Sequence, residues 1–228
     1  MLNETYRRML ANKSVIRETA AYGQRRAAEI GRENVFDYSL GNPSVPCPPA
    51  FTEAMQDLLA HEDPVALHGY CPNQGDPGFR TAVAAHLRAR FGLPYEPKHI
   101  FPTTGAAGAI AHALRAVTAP GDQVLTFAPY FPEYGPYVAG AGAELRVVPA
   151  QAPAFQPNLD ALEAMLTPGV AAVLINTPNN PTGVVYSAET LARLADILAR
   201  KSAAYGHTIF LVSDEPYRDI VFDGGTVP

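Results

Sequence analysis

The sequence predicts an α/β fold in which a mostly parallel sheet is covered by helices on both faces. Short apolar segments such as "QVLTFA", "ELRVVPA" and "AAVLIN" alternate with segments of helical periodicity. Strands that are apolar at nearly every position are typical of parallel sheets, which are buried on both faces. The 22 prolines and 18 glycines are scattered, which suits many turns between short elements.

Composition limits the possible functions of the chain. Its 228 residues are 47% hydrophobic, enough for a sizeable core, and the net charge of -5 argues against a sequence-independent grip on nucleic acid. Two cysteines, Cys47 and Cys71, cannot form a disulfide framework, which favours a reducing cytoplasm. The first residues are too polar for a signal peptide, and no apolar run reaches transmembrane length, so no membrane partner is predicted.

The first hundred residues contain helical and extended segments. Residues 14–30 have apolar residues at helical spacing and predict an amphipathic helix with a basic outer face. The proline-rich stretch "FDYSLGNPSVPCPPAF" predicts an extended boundary segment, followed by a short helix at about 50–60. Asp76 is predicted to cap a helix that has Pro77 at its first position and runs to about Arg90.

The rest of the chain alternates strands and helices. The predicted strands are "HIFPTT", "QVLTFA", "ELRVVPA", "AAVLIN" and "HTIFLV". The predicted helices are "GAAGAIAHALRAVT", the end of "YFPEYGPYVAGAG", residues 158–166 and residues 187–204. Ligands of such sheets bind beyond the carboxyl ends of the strands, so the residues that follow each strand are the candidates for a site.

The first candidate is the turn "PTTGAAGAI". Gly105, Ala106 and Ala107 lead from a predicted strand directly into a helix, and their small side chains expose the N–H groups of its first turn. Those groups and the helix dipole favour a phosphate. A tight, closely packed strand–helix turn is the alternative, since no P-loop or dinucleotide fingerprint is present.

Polar residues follow two other apolar runs. Asn180 lies in "NTPNNPTGVV", where its amide can donate to a ligand oxygen, although asparagine beside proline and glycine is also ordinary turn chemistry. Asp214 follows "HTIFLV" and is expected to be partly buried, where a carboxylate needs a partner, preferably a cation. Either Asp214 caps the turn that follows it, or its cationic partner is a ligand.

Several stretches of the chain, in the order in which they occur, resemble those of the class I/II aminotransferases, which are fold-type-I pyridoxal-phosphate enzymes. The matching stretches are "LGNPSVPCP", "GY" at 69–70, "TTGAAGAI", "APYFPEY", "NTPNNPTG" and "SDEPY", and they cover most of the chain. The combination of "NNPTG" with the later "SDEPY" is the most specific part of the match. The resemblance implies part of the small domain at residues 1–45 and a truncated cofactor-binding large domain at 46–228.

The resemblance also implies a cofactor, pyridoxal 5′-phosphate, which acts as the electron sink for a carbanion at the substrate's α-carbon. It places Asp214 against the ring nitrogen, where a carboxylate raises the pKa of that nitrogen. Asn180 and Tyr217 match the residues that hydrogen-bond the phenolic oxygen of the ring. Residues 105–107 match the phosphate-binding turn more loosely, because many relatives have hydroxyl side chains there and this chain would rely on backbone N–H groups.

Four further residues match the family. Phe131 matches the aromatic residue that stacks on the ring, with Tyr130 as a competing candidate and core packing as the ordinary role. Tyr134 is expected to line the substrate pocket. Tyr70 matches a tyrosine that reaches the cofactor phosphate of a neighbouring subunit, which implies a homodimer; its ordinary role is a buried loop aromatic. Gly41 matches a glycine near the substrate carboxylate, or is a plain turn glycine.

The family's Schiff-base lysine has no match in this chain. The three lysines, Lys13, Lys98 and Lys201, lie in other contexts and are most simply surface charges. The sequence therefore predicts no catalytic residue here and an N-terminal portion that is inactive alone. The family's sheet has two further strands between those near 100–103 and 208–213, so we expect a gap with unpaired edges and poor stability or aggregation of this portion alone.

The predicted function is that of a pyridoxal-phosphate-dependent aminotransferase, moving an amino group between an amino acid and a 2-oxo acid. A C–S lyase or a racemase-like enzyme would use the same site residues. A non-catalytic cofactor-binding module is another alternative, favoured by the missing lysine. A nucleotide-binding α/β protein would not explain Asn180, Asp214 and Tyr217 together.

Overall fold

The structure is a computed structural model that describes residues 4–11, 15–39, 41, 45–220, 222 and 224–228. The chain divides into two compact units, Met1–Phe101 and Pro102–Pro228. This boundary is not the one predicted between residues 45 and 46, and the division into a small-domain segment and a large domain stays a prediction. None of the described helices is both long enough and apolar enough to cross a membrane.

The first unit consists of helices joined by turns. Its helices are α1 (Glu4–Ala11), α2 (Val15–Ile30), α3 (Pro49–His61), α4 (Pro64–His68) and α5 (Pro77–Phe91), with short 3-10 helices at Arg32–Asn34 and Pro97–His99. The helices predicted from the sequence are confirmed at α2, α3 and α5. The cap of α5 is also confirmed, because Oδ1 of Asp76 accepts the N–H of Phe79 at 2.7 Å.

The short strand predicted at "HIFPTT" is wrong. His99 ends a 3-10 helix, and residues 100–103 have no regular structure. The Arg80 guanidinium donates to the carbonyl of Pro97 at 2.7 Å and to that of Ile100 at 3.1 Å, so these backbone acceptors are already in use. No strand in the described part of the chain pairs with this segment.

The second unit alternates helices and strands. In chain order they are α6 (Gly105–Val117), β1 (Gln123–Phe127), α7 (Tyr134–Gly140), β2 (Glu144–Val148), α8 (Leu159–Met165), β3 (Val170–Asn176), α9 (Ala188–Tyr205) and β4 (Phe210–Asp214). The strands form one parallel sheet in the order β2-β1-β3-β4. The predicted α/β fold is therefore confirmed, together with the predicted order of elements from α6 onward.

Helices cover both faces of this sheet. Successive strand residues point to opposite sides, so each strand contributes to both helix-covered faces. Val124 and Leu174 pack in a cluster with residues of α6 and α7, including Leu114 and Val138. On the other face Leu125 and Val173 pack with residues of α8 and α9, such as Leu162, Leu194 and Ile197. Every residue of β3 is buried, which explains why this strand is apolar almost throughout.

One edge of the sheet is open in the described part of the chain. There β4 pairs only with β3, and Phe210 and Leu211 each remain 43% exposed. The predicted mid-sheet gap is an open edge at β4 in the described residues, since residues 100–103, which were expected to form the strand on the far side of the gap, are not a strand. Exposed apolar strand edges favour aggregation, so the poor stability of this portion alone stays a prediction.

Candidate functional site

A cavity of about 270 Å³ lies at the carboxyl ends of β3 and β4, beside the first turn of α6. The sheet register pairs Asn176 with Asp214, the last residues of the two strands, so the segments that follow them start side by side. Six of the predicted site residues line the cavity: Ala106, Ala107, Phe131, Asn180, Asp214 and Tyr217. The fold thus brings together the start of α6 and the segments at the ends of β3 and β4, which lie far apart in sequence.

Asp214 is the central charged group of the cavity. It is 9% exposed, and its Oδ2 accepts a 2.6 Å hydrogen bond from the hydroxyl of Tyr134. Burial raises the pKa of the Asp214 carboxyl above its usual range, the Tyr134 hydrogen bond opposes that rise, and nearby Glu215 adds to it. No cation of the described residues contributes to this balance.

The helix-cap alternative for Asp214 does not describe this structure. The residues after Asp214 form a turn at 216–219 and no helix begins there. The side-chain hydrogen bond of Asp214 goes to Tyr134, which is distant in sequence, and not to an N–H of the turn that follows. The position of Asp214 is therefore set by the core of the second unit.

Tyr134 is fully buried at the start of α7. Its ring lies between those of Tyr130, stacked at 6.4 Å, and Phe131, edge-on at 5.8 Å. Burial, with the hydrogen bond to Asp214, raises the pKa of Tyr134 far above its usual range, so the phenol stays neutral and acts as a donor. The structure places Tyr134 in the core, in contact with Asp214; its predicted role in substrate binding stays a prediction.

The adjacent asparagines of "NTPNNPTG", Asn179 and Asn180, have different roles. Oδ1 of Asn179 accepts from the N–H and the hydroxyl of Thr182, which is the turn chemistry expected of such a sequence. Asn180 lines the cavity, and its Nδ2 donates to the hydroxyl of Tyr217 at 3.3 Å. This places an amide and a phenol together at one wall, where both can donate to a ligand oxygen.

Asn176 is a cavity residue that the sequence analysis missed. It is 3% exposed, its Nδ2 donates to the carbonyl of Asp214 at 2.9 Å, and its Oδ1 accepts the N–H of Asn180 at 2.6 Å. The available signal was a polar residue at the end of the otherwise apolar run "VAAVLIN". A buried amide in such a position needs partners for both of its polar atoms.

The start of α6 fits an anion. Gly105 begins the helix at φ +70, a left-handed conformation that disfavours other residues, and Ala106 and Ala107 line the cavity. The N-cap residue, Thr104, makes no side-chain hydrogen bond to the first turn. The N–H groups of this turn and the helix dipole therefore favour a negatively charged ligand group.

The remaining predicted residues differ in their placement. Phe131 lines the cavity while Tyr130 stacks on Tyr134, which favours Phe131 as the aromatic wall. Gly41 and Tyr70 lie in the first unit and are exposed, so the alternative of a buried loop aromatic is wrong for Tyr70; the structure leaves the predicted site roles of both residues untested.

The described lysines do not line the cavity. Lys98 lies 3.0 Å from Glu96, and Lys201 lies 3.8 Å from Glu163. Lys13 lies outside the described residues. The described side chains also include no group of three or more His, Cys, Asp or Glu that could hold a metal ion.

Residues 33–227 match the family model for aminotransferases of class I and II. The chain belongs to this family. The match confirms the resemblance that the sequence motifs indicated.

Individual aminotransferases are similar to this chain over most of its length. The crystal structure of an amino transferase from Eubacterium rectale has a TM-score of 0.95 at 44% identity, covering 100% of this chain and 57% of that chain. The structure of the aspartate aminotransferase of Thermus thermophilus with maleate has a TM-score of 0.79 at 30% identity, and the match covers 100% of this chain and 56% of that chain.

Among curated proteins, the probable N-succinyldiaminopimelate aminotransferase of Mycobacterium tuberculosis is 36% identical over 200 residues, which are 86% of this chain and 47% of that protein. A probable aspartate/prephenate aminotransferase of Thermus aquaticus is 34% identical over 204 residues, which are 87% of this chain and 50% of that protein. The chain spans about half the length of the curated relatives it matches.

Proposed function

We propose that the chain is the N-terminal portion of an aminotransferase that uses pyridoxal 5′-phosphate to move an amino group from an amino acid to a 2-oxo acid. The observation that carries this proposal is Asp214, a buried carboxylate that lines the cavity with a neutral donor as its partner and no cation among the described residues. A buried carboxylate is costly without a partner, and a protonated pyridine nitrogen would supply one.

The other walls of the cavity fit the remaining groups of this cofactor. The first turn of α6 suits its phosphate, the neutral donors Asn180 and Tyr217 suit its phenolic oxygen, and Phe131 offers an apolar face to its ring. A volume of about 270 Å³ lies just below the usual range for small-molecule sites, about 300–1,000 Å³.

When bound, pyridoxal phosphate supplies the electron sink for bond breaking at the substrate's α-carbon. Asp214 holds a proton at the ring nitrogen, because a neighbouring carboxylate raises the pKa of that nitrogen. Tyr134 donates to one carboxylate oxygen of Asp214 and so fixes the orientation of this carboxylate, which lines the cavity. Asn180 and Tyr217 would donate to the phenolic oxygen, and Phe131 would pack on the ring and keep water from that face.

The amine that holds the cofactor covalently is proposed to come from residues outside this sequence. Lys98 and Lys201 do not line the cavity, and each has an acidic neighbour elsewhere. The group that binds the substrate carboxylate is proposed to lie outside it as well. We further propose a cytoplasmic homodimer in which Tyr70 reaches the cofactor of the neighbouring subunit.

Cofactor binding and product analysis test the proposal. Full-length protein is titrated with pyridoxal phosphate and its visible absorbance is followed; Asp214→Asn is expected to weaken binding and shift the band. The matched control is Asp160→Asn, whose side chain is 97% exposed in the same unit, and it is expected to behave like the unsubstituted protein.

The product assay supplies amino acids together with a 2-oxo acid. Conversion of the amino-acid substrate into its own 2-oxo acid, matched by amination of the acceptor, supports transamination. Release of ammonia and a thiol from a sulfur amino acid, without amination of the acceptor, would show a C–S lyase instead. Absence of cofactor binding by the folded full-length protein would refute the proposal.

A further inference from the structure

We infer that Asn176 is a positioning residue that fixes the separation between Asp214 and Asn180. The inference rests on the proposed function, because these two residues matter together only if one ligand ring lies between them. Asn176 lies at the end of β3, inside the sheet, with 3% of its surface exposed. It makes its hydrogen bonds through both ends of one planar amide.

The geometry joins two separate segments through this one side chain. Nδ2 of Asn176 donates to the backbone carbonyl of Asp214 at 2.9 Å, at the end of β4. Its Oδ1 accepts the backbone N–H of Asn180 at 2.6 Å, in the loop after β3. Because both partners are backbone atoms, the amide fixes the main chain from which the Asp214 carboxylate and the Asn180 amide extend.

The hydrogen bonds continue on both sides of this connection. Tyr134 donates to the Asp214 carboxylate, and Asn180 donates to Tyr217. Hydrogen bonds therefore link successive residues from Tyr134, which is buried, to Tyr217, which lines the cavity, and Asn176 is the central residue of this series. Tyr134 fixes the direction of the carboxylate, while Asn176 fixes where the strand end lies relative to the opposite wall.

The residue type follows from this double role. An amide side chain has a donor and an acceptor in one rigid plane. Aspartate retains the acceptor for the Asn180 N–H but has no donor for the Asp214 carbonyl when ionised. Alanine has neither and would leave two buried backbone groups without their partner. The two substitutions therefore separate the two ends of the connection.

The test uses the full-length protein with Asn176→Ala, Asn176→Asp and the control Asn158→Ala. Asn158 caps α8 by accepting the N–H of Ala161 at 3.1 Å, so its loss also removes a side-chain to backbone bond in the same unit, away from the cavity. Urea unfolding establishes that each variant folds. The cofactor dissociation constant, the pH midpoint of the cofactor absorbance, kcat and KM are then compared.

For Asn176→Ala we expect weaker cofactor binding by roughly tenfold and a fall in kcat of roughly tenfold to a hundredfold, with a smaller change in KM, since small displacements at a reacting centre are costly. The pH midpoint of the cofactor band should also move. Asn158→Ala should lower stability and leave these quantities unchanged.

Hydrogen exchange of the cofactor-free protein gives a second measurement. The backbone N–H of Asn180 should exchange faster in Asn176→Ala and remain protected in Asn176→Asp. In the cofactor-loaded protein, Asn176→Asp should still move the pH midpoint of the cofactor band. Should Asn176→Ala fail to fold, Asn176→Asp carries the comparison.

The outcomes separate the two proposals. If the unsubstituted protein binds the cofactor, and Asn176→Ala and Asn176→Asp match Asn158→Ala in cofactor affinity, pH midpoint and kcat, the positioning role is overturned while the proposed function stands. If the folded unsubstituted protein binds no cofactor, the proposed function is overturned and the positioning role with it.

Discussion

The hydroxyl of Tyr134 donates a 2.6 Å hydrogen bond to Oδ2 of Asp214, and both side chains are buried. A lysine or arginine in place of the tyrosine would compensate the carboxylate within the protein. A neutral phenol instead orients the carboxylate and leaves most of its charge uncompensated. Under the proposed function this acid is the partner of a cation that enters the cavity, and its burial lowers stability when the cavity is empty.

Removing the phenol hydroxyl should destabilise the protein. Tyr134→Phe leaves a buried carboxylate oxygen without its donor, which costs about 1–3 kcal/mol of unfolding free energy. It should also raise the pKa of Asp214 further, because the Tyr134 hydrogen bond is the contribution that lowers it. Urea unfolding of the cofactor-free protein measures the first effect.

The control for this substitution is Tyr130→Phe. The Tyr130 ring stacks on Tyr134, but its hydroxyl makes no hydrogen bond to Asp214. It should lose far less stability than Tyr134→Phe. Equal losses for the two variants would show that the hydrogen bond to Asp214 contributes nothing to stability.

Asp214→Asn should stabilise the cofactor-free protein at neutral pH while it weakens cofactor binding. The folded-state pKa of Asp214 lies above the ordinary 3.8, mainly through burial. Between 3.8 and that raised value the folded state holds more protons than the unfolded state, so stability falls as the pH rises through this window. Asparagine does not ionise, and its amide oxygen can still accept from Tyr134.

Unfolding free energies measured from acid to neutral pH test whether ionisation of Asp214 lowers stability. The gain from Asp214→Asn should be full at neutral pH and shrink as the pH falls through the window toward 3.8. The exposed control Asp160→Asn should show no gain at neutral pH. A loss of stability in Asp214→Asn at neutral pH would contradict the picture of a carboxylate destabilised by burial.

The sheet and the positions of Asn180 and Asp214 could be predicted from local sequence patterns, whereas Phe131 and Tyr217 were predicted from the resemblance to the family. An apolar run followed by a polar residue indicated where β3 and β4 end, and the register of a parallel sheet brings such ends together. The strand predicted at "HIFPTT" failed for a non-local reason. The carbonyl of Ile100, within this stretch, and that of Pro97, just before it, accept from Arg80, which lies in a separate helix and leaves no periodic signal.

The hydrogen bonds that Tyr134 and Asn176 make to the cavity residues could not be predicted from sequence patterns either. Tyr134 was expected to line the substrate pocket from the resemblance to the aminotransferase family. Its contact with Asp214, 80 positions away, depends on how α7 packs on the sheet. Asn176 was missed because a single polar residue at a strand end is common, and only its two partners distinguish it.

Gly105 and Gly108 offer a matched test of the first turn of α6. Gly105 has φ +70, so Gly105→Ala should cost about 1–2 kcal/mol of unfolding free energy, the penalty of a left-handed conformation. It should also weaken cofactor binding, because the N–H groups of this turn would shift.

Gly108→Ala lies one turn later, and its added Cβ would meet Thr103 at 3.4 Å, an ordinary contact. Alanine is favoured over glycine in a helix, by about 0.5–1 kcal/mol, so this variant should be neutral or slightly stabilised. Urea unfolding and cofactor titration measure both variants. Equal behaviour of the two would argue against a special role for the backbone at Gly105.

Borohydride reduction of the cofactor-loaded full-length protein should label one lysine that is neither Lys98 nor Lys201. A lysine that holds the cofactor must reach the cavity beside Asp214, whereas these two lie next to Glu96 and Glu163 and do not line it. Peptide mass mapping locates the label, and Asp214→Asn, with its weaker cofactor binding, should reduce it. Stoichiometric labelling of Lys98 or Lys201 would mean that the cofactor binds elsewhere, because neither side chain contributes to the cavity that holds Asn180, Asp214 and Tyr217.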